Sequence, residues 1–319
     1  MGPEPVGRPS TSSGPSWPAP VALLAMTAIW GSTFFLIKDI VTRIPVADLL
    51  AVRFALASLG LALLVVRRLT LNRALLVRGA GLGVLYGGAQ VLQTLGLAST
   101  SASVSGFLTG LYVVATPLLG AAILRQRIAG TTWAAVVLAT AGLAVLSVTG
   151  VSTGYGELLT VASAVVYAGH IVALGRISTP GTALSLSLVQ LVVITVVCGL
   201  LAVLPISGAG LQLPSSGRDW LVVVYLGLVA GALTMVLQTW AQARIDPTRA
   251  AVIMAMEPVW AAAFAVALGG EVVTVRLVIG GLAILAAIYL AELGPPTRTG
   301  GGLPSEDRRD GSRSSRSPE

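Results

Sequence analysis

The chain has 319 residues, 55% of them hydrophobic and 10% charged, with a mean hydropathy of +0.88 and a net charge of +7. Soluble domains carry roughly 25% charged residues, so this composition excludes an ordinary water-soluble enzyme, and its apolar content excludes general disorder. One cysteine, Cys198, and one histidine, His170, exclude a disulfide framework and a multi-histidine metal centre, so neither metal nor cofactor is expected.

In chain order, residues 1–19 read as a disordered Pro/Ser/Gly-rich tail without the apolar core of a signal peptide. Apolar stretches long enough to cross a bilayer then recur at about 20–37, 47–66, 79–98, 103–124, 131–149, 156–175, 183–204, 220–241, 248–268 and 274–293. Residues 294–319 form a second polar, low-complexity tail. The apolar runs lack the period-2 alternation of a membrane barrel. An all-α polytopic membrane protein with ten transmembrane helices is expected.

The basic residues set the orientation. With the N-terminus in the cytoplasm, inside segments hold Arg67, Arg68, Arg73, Arg78, Arg125, Arg127, Arg176, Arg244 and Arg249, besides Arg8 and five arginines of the C-terminal tail. Outside segments hold only Lys38, Arg43, Arg218 and Arg276. Both termini are therefore expected inside. The positive charge records topology, so no nucleic-acid partner is expected. Arginine replaces lysine everywhere except at Lys38, as in a GC-rich bacterial genome, and the expected location is the bacterial cytoplasmic membrane.

Two constant offsets reveal an internal duplication. Val91-Leu92-Gln93-Thr94 returns as Val236-Leu237-Gln238-Thr239, an offset of 145, which also sets Tyr112 on Glu257 and Gln126 on Glu271. Earlier, an offset of 137 sets Trp30-Gly31-Ser32 on Tyr167-Ala168-Gly169 and Arg53 on Gln190. The loop before the eighth span absorbs the difference. Five helices per copy is odd, so two inverted five-helix repeats are expected, at 20–150 and 154–293. Inverted repeats mark secondary transporters with a solute site near mid-membrane.

The stretch WGSTFFLIKDIVTRIPVADLLAVRFALASLGLALL resembles the opening of an EamA domain, of the drug/metabolite transporter superfamily. SGFLTGLYVVATPLLG resembles the fourth helix of such domains, and QTWAQARIDPTRAAVIMAMEPVWAAAFAVALGGEVVTVRLVIGGLAIL their closing segment. The resemblance spans about Val21 to Leu293. It implies a permease that moves a small metabolite or drug-like solute, usually outward. Gln126 stands in the first copy where the second has Glu271, which argues against a symmetric acid pair.

Polar residues inside the spans are the candidates for a substrate pathway: Arg53, Gln93, Tyr112, His170, Gln190, Gln238 and Glu257. An intramembrane charge needs a partner or a wet cavity, and Asp48, five residues before Arg53, is poorly placed as an intrahelical partner. Arg53 otherwise reads as snorkelling to the surface. Glu257 precedes Pro258, which breaks the helix and frees a carbonyl, and a carboxyl whose solvation alternates can bind and release a proton. It is the candidate for proton coupling; otherwise it secures the break. Gln93 and Gln238 read first as interhelical glue, although a repeat-related pair would also sit symmetrically about a central pathway. Trp30, Tyr112, Tyr167 and Trp240 are candidates for aromatic walls. A rival reading makes Ser105 and His170 a serine-protease dyad, although Ser103-Val104-Ser105-Gly106 lacks the G-x-S-G form. The expected partners are a small-molecule substrate and the lipid bilayer, with a homodimer as a candidate assembly.

Overall fold

The computed structural model describes residues 18–124, 130–147, 154–203, 211–245 and 247–292; Gln126 and nearly all of both expected tails lie outside them. Among the described residues every regular element is helical: α1 (Pro18–Ile40), α2 (Val46–Val65), α3 (Arg73–Ser99), α4 (Ala102–Thr109), α5 (Tyr112–Leu124), α6 (Gly130–Ser147), α7 (Tyr155–Ile177), α8 (Ala183–Val203), α9 (Gly217–Val224), a π-helical segment (Tyr225–Leu233), α10 (Thr234–Gln242), α11 (Pro247–Met254), α12 (Glu257–Ala267) and α13 (Val275–Glu292). Helices that satisfy their own backbone are what an apolar chain in lipid requires. Their starts follow local chemistry. Asn72 caps α3 by accepting from Leu75 N at 2.8 Å, Ser101 caps α4 from Val104 N at 3.2 Å, and Ser216 caps α9 from Asp219 N at 3.1 Å. Pro45 precedes α2, and Pro247 opens α11 where no N–H is needed.

Seven stretches among the described residues are long and apolar enough to cross a membrane: Pro18–Ile40, Val46–Arg68, Arg73–Ser99, Ala102–Ile123, Tyr155–Ile177, Ala183–Val203 and Gly217–Gln242. The other three expected spans appear as shorter apolar helices, at Trp133–Gly142, Glu257–Ala267 and Val275–Ala287.

Two departures from regular helix bear on function. The stretches expected as single helices at 103–124 and 248–268 are each broken. One break falls at Gly110-Leu111 and the other at Ala255-Met256, positions that the 145 offset equates. The first tightens into short turns, with Leu111 N donating to Leu108 O at 3.1 Å and Val113 N to Gly110 O at 3.1 Å. The second follows from Pro258, whose missing N–H leaves the carbonyl four residues back, that of Met254, without its helical donor. The stretch expected as a helix at 220–241 is widened between Tyr225 and Leu233 into a π segment. Gly227 lies there against α2, where a Cβ would stand 2.7 Å from Arg53 O, so only glycine permits the approach.

Packing joins equivalent elements of the two halves. α2 lies on α8 and α6 on α13, while α4 packs on α12, α3 on α7 and α1 on α10 and α12. Ser58 and Thr195, 137 residues apart, hydrogen-bond at 2.8 Å. The core around Leu23, Met26, Phe54, Leu108, Leu191 and Ile284 draws on both halves.

Connections also meet across the halves. Arg43, between α1 and α2, donates to Asp219 of α9 at 2.8 Å and to Asp39 at 2.8 Å. These two carboxylates, Asp39 foremost, hold the Arg43 guanidinium still more firmly protonated than usual. Asp48 accepts from Gln212 N at 3.0 Å, and Lys38 donates to Leu97 O at 3.1 Å and Ala98 O at 3.0 Å. Thr100 donates to Glu157 at 2.9 Å, and Glu271 accepts from Ala102 N at 2.6 Å at the start of α4. Separately, Thr70 N, between α2 and α3, donates to Ser185 Oγ of α8 at 3.0 Å.

Candidate solute cavity

An internal cavity lies between the halves, narrow in this conformation, with about 30 Å³ of space. Fifteen residues line it. Ten of these are five pairs equated by the repeat offsets: Trp30 with Tyr167, Phe34 with Ile171, Gln93 with Gln238, Thr109 with Met254, and Tyr112 with Glu257. The other five, Thr33, Ile37, Arg53, Tyr86 and Gln90, all belong to the first half. Their equivalents His170, Leu174, Gln190, Gly231 and Met235 do not line the cavity. The space is thus displaced toward the end of the molecule where α1 finishes and α2 begins.

The centre of the site is the helix break in the second half. Tyr112 Oη donates to Met254 O at 2.7 Å, the carbonyl that Pro258 leaves free, and it lies 3.2 Å from Glu257 Oε2. Tyr112 and Glu257 are 145 residues apart, so the repeat offset and a direct hydrogen bond join the same two residues.

Above one wall of the cavity, α3 presents Tyr86, Gln90 and Gln93 at helical spacing on one face. Gln90 Nε2 donates to Tyr167 Oη at 2.6 Å and Tyr86 Oη at 3.2 Å. Tyr167 Oη donates to Gln93 Oε1 at 2.9 Å, and Gln93 Nε2 to Thr109 Oγ1 at 3.0 Å. This chain of bonds crosses from α3 to α7 and α4. Gln238 has only a long contact of 4.0 Å to Met254 Sδ, and its buried Oε1 has no partner.

Arg53 is 3% exposed and its guanidinium makes no ion pair or hydrogen bond among the described residues. Its Cζ lies 4.7 Å from the centre of the Phe54 ring, a cation–π contact. The backbone beside it is fixed by the close approach of Gly227. Asp48 is turned to Gln212 N and is no partner for it.

Of the residues expected in a substrate pathway, Arg53, Gln93, Tyr112, Gln238 and Glu257 border the cavity. His170 and Gln190 stand one layer behind. His170 Nε2 and Gln190 Oε1 are 2.8 Å apart, Gln190 Nε2 donates to Leu186 O at 3.3 Å, and the His170 ring packs 5.1 Å from that of Tyr86. Ser105 Oγ is buried without a hydrogen-bond partner, so the Ser105–His170 dyad is not assembled. Trp30 and Tyr167 wall the cavity, whereas Trp240 instead stacks under Arg244 at 4.1 Å. Trp30 Nε1 donates to Thr234 Oγ1 at 3.0 Å and Ala230 O at 3.3 Å, anchoring α1 to the π segment. Cys198 is buried and free.

Sequence reasoning left out Thr33, Phe34, Ile37, Tyr86, Thr109, Ile171 and Met254. The signal for some was present. Tyr86 lies two turns before Gln93 on the same helix face, and the repeat offsets pair Phe34 with Ile171 and Thr109 with Met254.

Comparison with known proteins agrees with this architecture. Residues 17–148 and 154–293 each match the EamA-like transporter family. The chain belongs to that family. It is also 26% identical over 280 residues to an uncharacterized transporter of Archaeoglobus fulgidus, with 86% of each protein covered. A solved crystal structure superposes with a TM-score of 0.63 at 20% identity, covering 86% of this chain and 96% of the other, a likeness of fold alone. The chain is a multi-pass membrane transporter, set in a lipid bilayer and carrying small-molecule solutes.

Proposed function

We propose that this transporter is a ten-span permease of the bacterial cytoplasmic membrane, moving a small metabolite or drug-like solute outward by alternating access. The observation that carries the reading is the cavity lined by five repeat-equivalent pairs, with one pair, Tyr112 and Glu257, bonded at its centre. Residues equated by a two-fold operation can touch each other only near its axis, so a site on that axis is shared by both halves.

The pattern of connections supports inversion. The α1–α2 connection meets the start of α9, while its repeat equivalent, before α8, is next to the residue that Thr70 of the α2–α3 connection reaches. Equivalent connections thus engage partners at opposite ends of the bundle, as two halves inverted about an axis in the membrane plane require. The basic residues place the Arg67–Arg78 end inside, with both termini.

Inversion also explains the one-sided lining. The state in which the halves exchange conformations turns His170 and Gln190 toward the solute and withdraws Thr33 and Arg53. Glu257, at the helix break and on the axis, is the residue exposed to the solute path in both states and the one through which a proton is exchanged.

Alkaline phosphatase, active only outside, is expected to be active when fused after residue 152 and inactive after Arg127. The reverse result refutes the orientation and the inverted repeat. For transport, purified protein in liposomes is expected to release a trapped solute identified by thermal-shift screening. Liposomes that retain every solute shown to bind would refute the permease reading.

A further inference from the structure

We propose that Arg53 is the anchor of an anion site, and that the cavity, widened from the narrow space of this conformation, takes a flat, apolar monocarboxylate. The inference rests on the cavity being the solute site, and it adds the solute's charge and shape.

Arg53 is the one cation among the fifteen lining residues. It is buried, with Nε and Nη1 without hydrogen-bond partners. A guanidinium in this setting demands an anion, and none of the described residues provides one. Asp48 is engaged with Gln212, and Glu257 takes its hydrogen bond from Tyr112. No carboxylate oxygen among the described residues approaches Arg53 within ion-pair distance, in contrast to Arg43, which pairs with Asp39 and Asp219. The missing anion is therefore brought in by the solute. A single guanidinium matches one carboxylate, with charge-assisted donors suited to a planar oxyanion. A dianionic phosphate would face one cation and the Glu257 carboxyl, and would be left undercompensated.

The remainder of the wall sets the body of the solute. Trp30, Phe34, Tyr86, Tyr112 and Tyr167 surround the space with ring faces and edges. The amides Gln90 and Gln93 are occupied by Tyr167 and Thr109, so they do not compete for the carboxylate. Gln238 Oε1, unpartnered and buried, accepts one N–H from the same solute. Indole-3-carboxylate combines these three features, and benzoate and 2-naphthoate carry the first two.

Titration calorimetry of the full chain in detergent, blanked against empty micelles, tests this with benzoate, 2-naphthoate and indole-3-carboxylate, each paired with its carboxamide. At least one acid is expected to bind about ten- to a hundredfold more tightly than its amide, the range a charge-assisted hydrogen bond confers. Arg53→Gln is expected to erase that preference. Arg53→Lys, which keeps the charge and lacks the fork, is expected to retain part of it and serves if the glutamine variant does not fold. No binding by any of the three acids, equal binding of acids and amides, or an undiminished preference in the folded Arg53 variants would each overturn the proposal. Flux of the bound acid across liposomes judges the transport reading separately. An acid that binds through Arg53 without crossing sinks the permease and leaves the anion site standing. Flux of neutral solutes alone, with no preference for acids, does the opposite.

Discussion

Tyr112→Phe removes one oxygen atom and tests the centre of the site. The hydroxyl bonds Met254 O at 2.7 Å and Glu257 Oε2 at 3.2 Å, all of them buried. Its loss leaves a carbonyl already deprived of its helical donor by Pro258 with no partner at all. A buried group so orphaned costs about 1–3 kcal/mol. Polar contacts within membrane proteins average about 0.6 and reach about 1.7 kcal/mol each. Two such bonds place the expected destabilisation at about 1–3 kcal/mol, or roughly five- to 150-fold in the unfolding equilibrium. Reversible unfolding in mixed micelles measures it. Tyr86→Phe is the control, since Tyr86 Oη is reached only by Gln90 at 3.2 Å among the described residues. A double-mutant cycle with Glu257→Leu, which removes the acceptor, then isolates the Tyr112–Glu257 contact, expected to couple by about 0.5 kcal/mol or more. If Tyr112→Phe costs no more than Tyr86→Phe and the cycle closes at zero, the hydroxyl does not hold the helix break and the reasoning fails.

Glu257→Gln keeps size and hydrogen bonding, so in liposomes it should abolish accumulation driven by a pH gradient while exchange persists; gradient-driven uptake at the wild-type rate would assign Glu257 a structural role only. Gly31→Ala drives a methyl into Trp260 and to 2.9 Å from Ala261 N, and should cost about 1–3 kcal/mol, whereas Gly169→Ala, with nothing within 4 Å, should be neutral or gain up to about 1 kcal/mol in the same unfolding assay. Glu271→Ala uncaps α4, where Ala102 N and Ser103 N donate to its carboxylate at 2.6 and 3.3 Å, and should lower stability by about 0.5–2 kcal/mol; no change would mean that water caps α4 equally well.

Much of this was legible because lipid simplifies the code. A run of apolar residues in a bilayer folds as helix, so element existence followed from composition and spacing, and polarity within the apolar spans singled out Arg53, Gln93, Tyr112, Gln238 and Glu257, which border the cavity. What the sequence hid was local. The π widening at Tyr225–Leu233 holds Gly227 against Arg53 O, a contact between residues far apart in the chain. The break at Gly110-Leu111 has no proline at the point of interruption, unlike the one set by Pro258. His170 and Gln190 were polar and intramembrane like the others, yet they bond each other behind the wall, with His170 Nδ1 left unpartnered among the described residues. Polarity and depth alone do not separate a lining residue from a bonded neighbour.

The bond between Tyr112 and Glu257 also bears on how such a protein can diverge. Were the two halves identical, whatever stood at this position would face its own copy. Two tyrosines would crowd phenols where one carbonyl waits, and two glutamates would press like charges together in lipid. A phenol facing a carboxyl across the axis takes two different residues, which separately encoded halves can hold. Having both halves on one chain therefore lets the central position carry a single ionisable group with a neutral mate, a chemistry that an assembly of two equal subunits is forbidden by its own symmetry.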